Sequence, residues 1–228
     1  MTPRRVSAGE PQRPARPALT RDHIVRTALA IIDSDGVAGL TMRRLGTELG
    51  VDSMAVYHHL PNKAALFHGV VEAVYAEVDL ETLPETGTWR DQLTAAIRRI
   101  RQAFQRHPNA LPVVATHPTT TPPMLAIADH GVKVLSAAGF AATTAFDIIN
   151  CLGTYTIGQT LAEVSAPIAG DVDDPNAALA AMDPADYPHL VQAFVSGYDH
   201  RPDEQYELGL QAMLDGFERR RPRPGPQP

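Results

Sequence analysis

A chain of 228 residues is long enough for one large domain or two small ones, and 44% hydrophobic residues with six Phe, six Tyr and one Trp exclude wholesale disorder. Twenty Lys and Arg against 26 Asp and Glu give a formal charge of −6, which conceals an asymmetry: residues 1–63 carry nine basic and six acidic side chains, a balance of +3, and the remainder carries −9. The lone cysteine, Cys151, excludes an internal disulfide and a Cys-rich zinc site; with no apolar h-region after Arg4 and Arg5 and no uninterrupted apolar run of about 18 residues, a soluble cytoplasmic protein without a membrane partner is expected.

Residues 1–18 are rich in Pro and carry Arg4, Arg5, Arg13 and Arg16, the composition of a flexible basic arm. Helical periodicity dominates from there on. Ile24, Ala28, Ile31 and Ile32 share one face of a first helix that Thr20 caps and Gly36 stops. Thr41 caps a second helix that carries Leu45 and Leu49 and ends at Gly50; a very short third spans about 53–58, and Pro61-Asn62 breaks the chain. A fourth helix over 63–79 aligns Leu66, Val70, Val74 and Val78. Thr88 and Asp91 have the form of a capping box for a fifth helix reaching Arg106, with Trp89, Leu93, Ile97, Ile100 and Phe104 in a stripe.

Five prolines between Pro108 and Pro123 leave room only for short helical turns. Helices are expected again over 123–138 and 141–164, then a loop of small and acidic residues over 166–184, a short helix near 187–196, and a last helix over 202–220. No alternating strand segment of useful length occurs, so the fold class is all-α. The prolines after Arg221 forbid regular structure in the final residues.

The informative stretch runs from Leu40 to Lys63. Two helices that cross steeply need a small residue at the contact, a residue tolerant of positive φ in the turn, and aliphatics that pin both to a third helix. Gly46, Gly50, and Val51 with Val56 fill those roles. Arg43, Arg44, Tyr57, His58, His59 and Lys63 crowd around the pair, supplying phosphate-binding and base-reading groups that a scaffold helix does not require. The reading is a helix-turn-helix that binds double-stranded DNA.

Over Thr20 to about Val78 the sequence resembles the DNA-binding domain of the TetR family of transcriptional regulators, through Gly36, Leu40-Thr41, Leu45, Leu49-Gly50-Val51, Val56-Tyr57, His59, Asn62-Lys63 and Leu66. The remainder resembles the tetracycline-repressor branch, through Trp89, His107, Thr116-His117-Pro118, Gly139-Phe140, Gly153 and Thr156-Ile157-Gly158. Between the arm at 1–18 and the tail at 221–228, both read from composition and the tail as disordered, the resemblance implies a DNA-binding domain at 19–64 and a ligand-binding and dimerisation domain at 65–220. It places Thr41 and Arg43 against phosphate and a base edge, Ser53, Met54 and Ala55 at the reading end of the recognition helix, and Tyr57 and Lys63 on phosphates. His59 is open between a DNA contact and a wedge between helices, and the role of His58 is left open.

Dimerisation is assigned by the resemblance to the helices at 141–164 and 202–220, the latter through Tyr206, Leu210, Met213, Leu214 and Phe217; an intramolecular core is the alternative for that stripe. Gly153, Gly158 and Ala145 would permit close helix approach. The resemblance also implies a ligand pocket, for which Ala96, Ile100, Phe104, Val114, His117, His130, Asn150 and Thr154 are candidates. The magnesium-binding histidine of the branch falls at Val113 or Val114, and its amide and aromatic contacts fall near Ala96 and Ile100, so tetracycline with magnesium is not the expected ligand and no cofactor or metal is called. No Gly-x-Ser-x-Gly, His-Glu-x-x-His or phosphate-cradling loop occurs, so catalysis is not expected. The function expected is a one-component repressor released from its operator by a hydrophobic small molecule. A helical enzyme or metal-binding protein using His58, His59 and His68, and a regulator that only dimerises, are the other readings.

Overall fold

A computed structural model describes residues 19–117, 120–164, 182–199 and 201–221. The arm at 1–18, most of the loop at 166–184, and the tail beyond Arg221 lie outside the described residues. The described residues form helices α1 (Arg21–Gly39), α2 (Met42–Leu49), α3 (Ser53–His59), α4 (Lys63–Ala76), α5 (Trp89–Arg106), α6 (Leu111–Thr116), α7 (Pro122–Ala137), α8 (Ala142–Val164), α9 (Pro188–Val195) and α10 (Pro202–Glu218), with a 3-10 turn at Pro108–Ala110 and no strand.

The helix starts follow local chemistry. The side chains of Thr20, Thr41, Asn62 and Thr121 each accept a hydrogen bond from a backbone N–H in the first turn that follows, and Thr88 with Asp91 forms the reciprocal capping box. The ends are less regular. Gly36 takes φ 70°, which breaks α1 as expected, but the chain resumes a helical turn to Gly39 before leaving. Helix α4 stops at Ala76, short of the expected Asp79.

Helices α1, α2 and α3 form a small head in which Ile24, Ile32, Leu45 and Val56 are fully buried. Helix α4 packs on α1 and also on α5, α6 and α7, so it belongs to the head and to the larger domain at once. In the larger domain α5, α7 and α8 pack on one another and α10 lies along α8. One continuous apolar cluster runs from Ile24 to Leu214.

The apolar stripe of the last helix divides in a way its period does not show. Tyr206, Leu210 and Leu214 are fully buried inside the chain. The phenol of Tyr206 shares a hydrogen bond with Thr156, its ring stacks on Tyr155 at 5.4 Å, and the Arg101 guanidinium lies 4.3 Å from its centroid. These three residues are therefore core and not a dimer surface, a correction to the assignment above; Ala145, also fully buried, is corrected with them. Met213 and Phe217 are half-buried against the same core. The outward face of α10 instead carries Leu208, 73% exposed, with Ala212.

Arg101 holds this arrangement from the inside. Its guanidinium donates to Glu163 on α8 at 2.6 Å and to Asp203 on α10 at 2.7 Å. Burial works against its charge, but the two carboxylates outweigh burial and raise its pKa above the ordinary arginine value.

Candidate functional site

The head presents its recognition elements as the turn chemistry dictates. Gly50 ends α2 at φ 67°, a left-handed conformation that returns its N–H to the Gly46 and Thr47 carbonyls. At Gly46 a Cβ would stand 2.9 Å from the Val51 carbonyl oxygen and 3.2 Å from the Ser53 nitrogen, so only glycine lets α3 approach this closely. The Asp52 carboxylate then caps α3 by accepting from the Met54 N–H at 2.8 Å.

Thr41, Arg43, Met54, Tyr57, His59 and Lys63 are exposed, and Ser53 and Ala55 are half-buried. Met54 is 64% exposed, so its apolar side chain is accessible to a partner. The two adjacent arginines of α2 have different fates. Arg44 is ion-paired with Asp35 of α1, and Ser34 and Arg44 together hold the Asp35 carboxyl below its ordinary range. Arg43 has no ion-pair partner among the described residues and points its charge to solvent. Lys63 lies 5.2 Å from the ring centroid of Phe67 in the first turn of α4, where its ammonium remains exposed. His59 is exposed beside Arg21, Pro61 and Ala64 and is not wedged between helices.

The larger domain encloses a cavity of about 200 Å³ between α4, α5, α7 and α8. Six of the expected residues line it: Ala96, Ile100, Phe104, His130, Asn150 and Thr154. Tyr75, Leu93, Met124, Ile127 and Ile149 complete much of the wall and were not anticipated, because their apolar periodicity is that of any core helix. Burial pushes the Tyr75 phenol up to about 12, so it remains a hydrogen-bond donor at neutral pH. His130 Nε2 is buried and has no hydrogen-bond partner among the described residues.

Two expected lining residues are corrected. Val114 is buried in the core cluster, on a helix that packs with α4 and α8, and is not among the residues that line the cavity. His117 leaves the end of α6 and packs edge-on against Phe67, with centroids 4.8 Å apart. Among the described residues the cavity wall contains one imidazole, His130, and no carboxylate. Among the described residues no group of three His, Cys, Asp or Glu side chains is placed to hold a metal, and no helix is long and apolar enough to cross a membrane.

A helix-turn-helix head with an exposed, cationic reading face, sharing one helix with a domain that encloses an apolar cavity, defines a DNA-binding transcriptional regulator with sensing and output in a single chain. The comparisons with known proteins agree. Residues 24–70 match the family model of bacterial regulatory proteins of the tetR family, and residues 81–221 match the tetracyclin repressor-like C-terminal domain. The chain belongs to the TetR family and is a ligand-responsive DNA-binding transcriptional repressor, not an enzyme. It is 32% identical over 202 residues to the class A tetracycline repressor from transposon 1721 of Escherichia coli, covering 87% of this chain and 90% of that protein. Its fold is similar to that of a possible TetR family transcriptional regulator from Streptomyces coelicolor A3(2), with TM-score 0.78 and 30% identity over 88% of this chain and all of that one. It is also similar to the Streptomyces coelicolor protein ActR in complex with (S)-DNPA, with TM-score 0.76 and 27% identity over 88% of this chain and 98% of that one.

Proposed function

We propose that the chain acts in the cytoplasm as a homodimer that occupies a two-fold operator through α3 and leaves it when an uncharged, largely apolar small molecule enters the cavity. The observation that carries this reading is that α4 forms one wall of the cavity through Tyr75 and also packs on α1 of the head, so the two sites share a rigid element. The complex of ActR with a small molecule supports the placement of a ligand. The absence of any Asp, Glu, Lys or Arg from the lining favours a neutral effector, with a polar group that meets the unpartnered His130 Nε2.

In this reading Arg43 donates to guanine O6 and N7, Ser53, Met54 and Ala55 meet base edges, and Thr41, Tyr57, His59 and Lys63 meet the backbone. Dimerisation brings two recognition helices about 34–36 Å apart, one turn of duplex. Outward small or apolar residues on α8 (Cys151, Gly158) and on α10 (Leu208, Ala212) are exposed for that purpose. Gly158 has open space where a Cβ would stand, so a second copy has room to approach there, whereas Gly153 lines the cavity.

The test is selection of an operator from random duplexes by the intact protein, then titration at two salt concentrations, where specific binding should weaken with salt. Arg43→Ala is expected to lose about 1–3 kcal/mol of operator affinity with unchanged helicity, because the side chain is exposed and unpaired. Binding that never discriminates sequence, or an Arg43→Ala protein with full affinity, refutes the assignment. Deleting residues 1–18 should flatten the salt dependence if the basic arm also follows phosphates.

A further inference from the structure

Three elements, α1, α4 and α5, meet at one imidazole. His107 follows α5 and caps it, its N–H returning to the Phe104 carbonyl at 3.1 Å. Its Nδ1 lies 2.9 Å from an oxygen of Asp33 on α1, and its Nε2 lies 2.7 Å from an oxygen of Glu77, the residue that ends α4. The side chain is only 12% exposed. Arg106 donates to the other oxygen of Glu77 at 2.7 Å, and the Asn109 amide donates to the Asp33 backbone carbonyl at 2.8 Å.

Each ring nitrogen lies within hydrogen-bond distance of a carboxylate from a different helix, so one side chain ties the end of α4 to α1. The second oxygen of Asp33 is buried with no partner among the described residues, so the contact with His107 is the side-chain hydrogen bond that satisfies this carboxylate there. Burial pulls Glu77 upward, but hydrogen bonds from His107 and Arg106 and their charges outweigh it and hold the carboxyl below its ordinary range.

The same two helix ends close the cavity. Phe104, three residues before His107, and Tyr75, two before Glu77, meet edge-on with centroids 5.5 Å apart, and both line the cavity. A molecule that wedges Tyr75 from Phe104 must therefore draw apart the ends of α4 and α5 that His107 ties together.

We propose that His107 is a positioning residue: with Asp33 and Glu77 it latches the DNA-binding head to the wall of the ligand cavity, fixing the orientation of the head and passing displacement of that wall to α1. The latch acts on the head directly, in addition to the path through the body of α4. Residues of one packed cluster link α1 to α2 and α3, so the head turns as a unit when α1 is released.

The experiment places nitroxide labels at exposed Thr47 on the head and exposed Ser136 on α7, in a full-length chain carrying Cys151→Ser, diluted with unlabelled protein so that double electron–electron resonance reads the distance within one chain. The intact latch should give one narrow distribution. His107→Ala should broaden it about twofold and weaken operator binding about fivefold or more, while His107→Gln, which keeps a donor for one carboxylate, should fall between. An unchanged width in folded His107→Ala, even with a lowered melting temperature, marks a merely structural residue and overturns the proposal. Should His107→Ala fail to fold, Glu77→Gln keeps the shape of the site, and an unchanged width there overturns it equally. Because the distance is read without DNA, a failure of the latch is distinct from a failure of the head to bind its operator.

Discussion

Gly46→Val should reduce operator affinity at least about a hundredfold while leaving α5 to α10 folded. The hydrogen on Gly46 faces backbone, and backbone cannot rotate out of the way as a side chain can: the nearest atoms to an added Cβ are the Val51 carbonyl oxygen at 2.9 Å and the Ser53 nitrogen and Cα at 3.2 and 3.3 Å. Alanine already requires a few tenths of an ångström of retreat; valine adds two methyl groups to the same gap. Overpacking a well-filled contact costs about 1–3 kcal/mol, and the strain falls on α3, whose only fully buried anchor is Val56. Base reading by Ser53 and Met54 depends on placing donors within a fraction of an ångström, so a tilted α3 forfeits its bidentate and apolar contacts together. Fluorescence anisotropy with the selected operator measures the loss, and far-ultraviolet circular dichroism with thermal unfolding checks that the larger domain survives. An affinity within about twofold of the parent would mean that the glycine is not the reason α2 and α3 cross as they do. Gly46→Ala should lie between the two.

That glycine illustrates what a sequence makes legible. Within the helix-turn-helix every position has a separate steric task fulfilled by near neighbours, so Thr41, Gly46, Gly50 and Val56 can be read without knowing the rest of the molecule, and all four stand where the local argument puts them. The capping box at Thr88 and Asp91 is local in the same sense. The cavity is only half legible. Ile100 and Phe104 follow from the stripe on α5, but Val114 sits on a six-residue helix and His117 just past its end, where packing against α4 and α8, far away in sequence, decides what they face. The links that organise the domain are longer still. Arg101 reaches Glu163 and Asp203 across 62 and 102 residues, and His107 reaches Asp33 across 74. No periodicity announces such pairs, because a charged residue on an amphipathic helix looks the same whether it meets water or a buried carboxylate.

Two leucines of α10, two residues apart, separate the core of one chain from the surface it offers to another. Leu210→Ala should destabilise the fold by about 2–5 kcal/mol, since the side chain is wholly enclosed and its removal leaves a cavity beside Tyr206 and Leu214 that close packing cannot fill. Leu208→Glu should behave in the opposite manner. At 73% exposed, Leu208 touches little within its own chain, so the substitution should change the stability of the isolated subunit by less than about 0.5 kcal/mol. In the proposed dimer, however, a carboxylate there would be buried without a partner, and association should weaken at least about tenfold. Sedimentation velocity over a range of concentrations reads the second effect, and urea unfolding at fixed concentration reads the first. The assignment of faces fails if Leu208→Glu dimerises as tightly as the parent or if Leu210→Ala keeps full stability. A tenfold weaker dimer also predicts its functional cost: each head alone contacts one half-site, so operator binding should fall with the dimer population and recover as protein concentration rises, whereas Gly46→Val should show no such recovery.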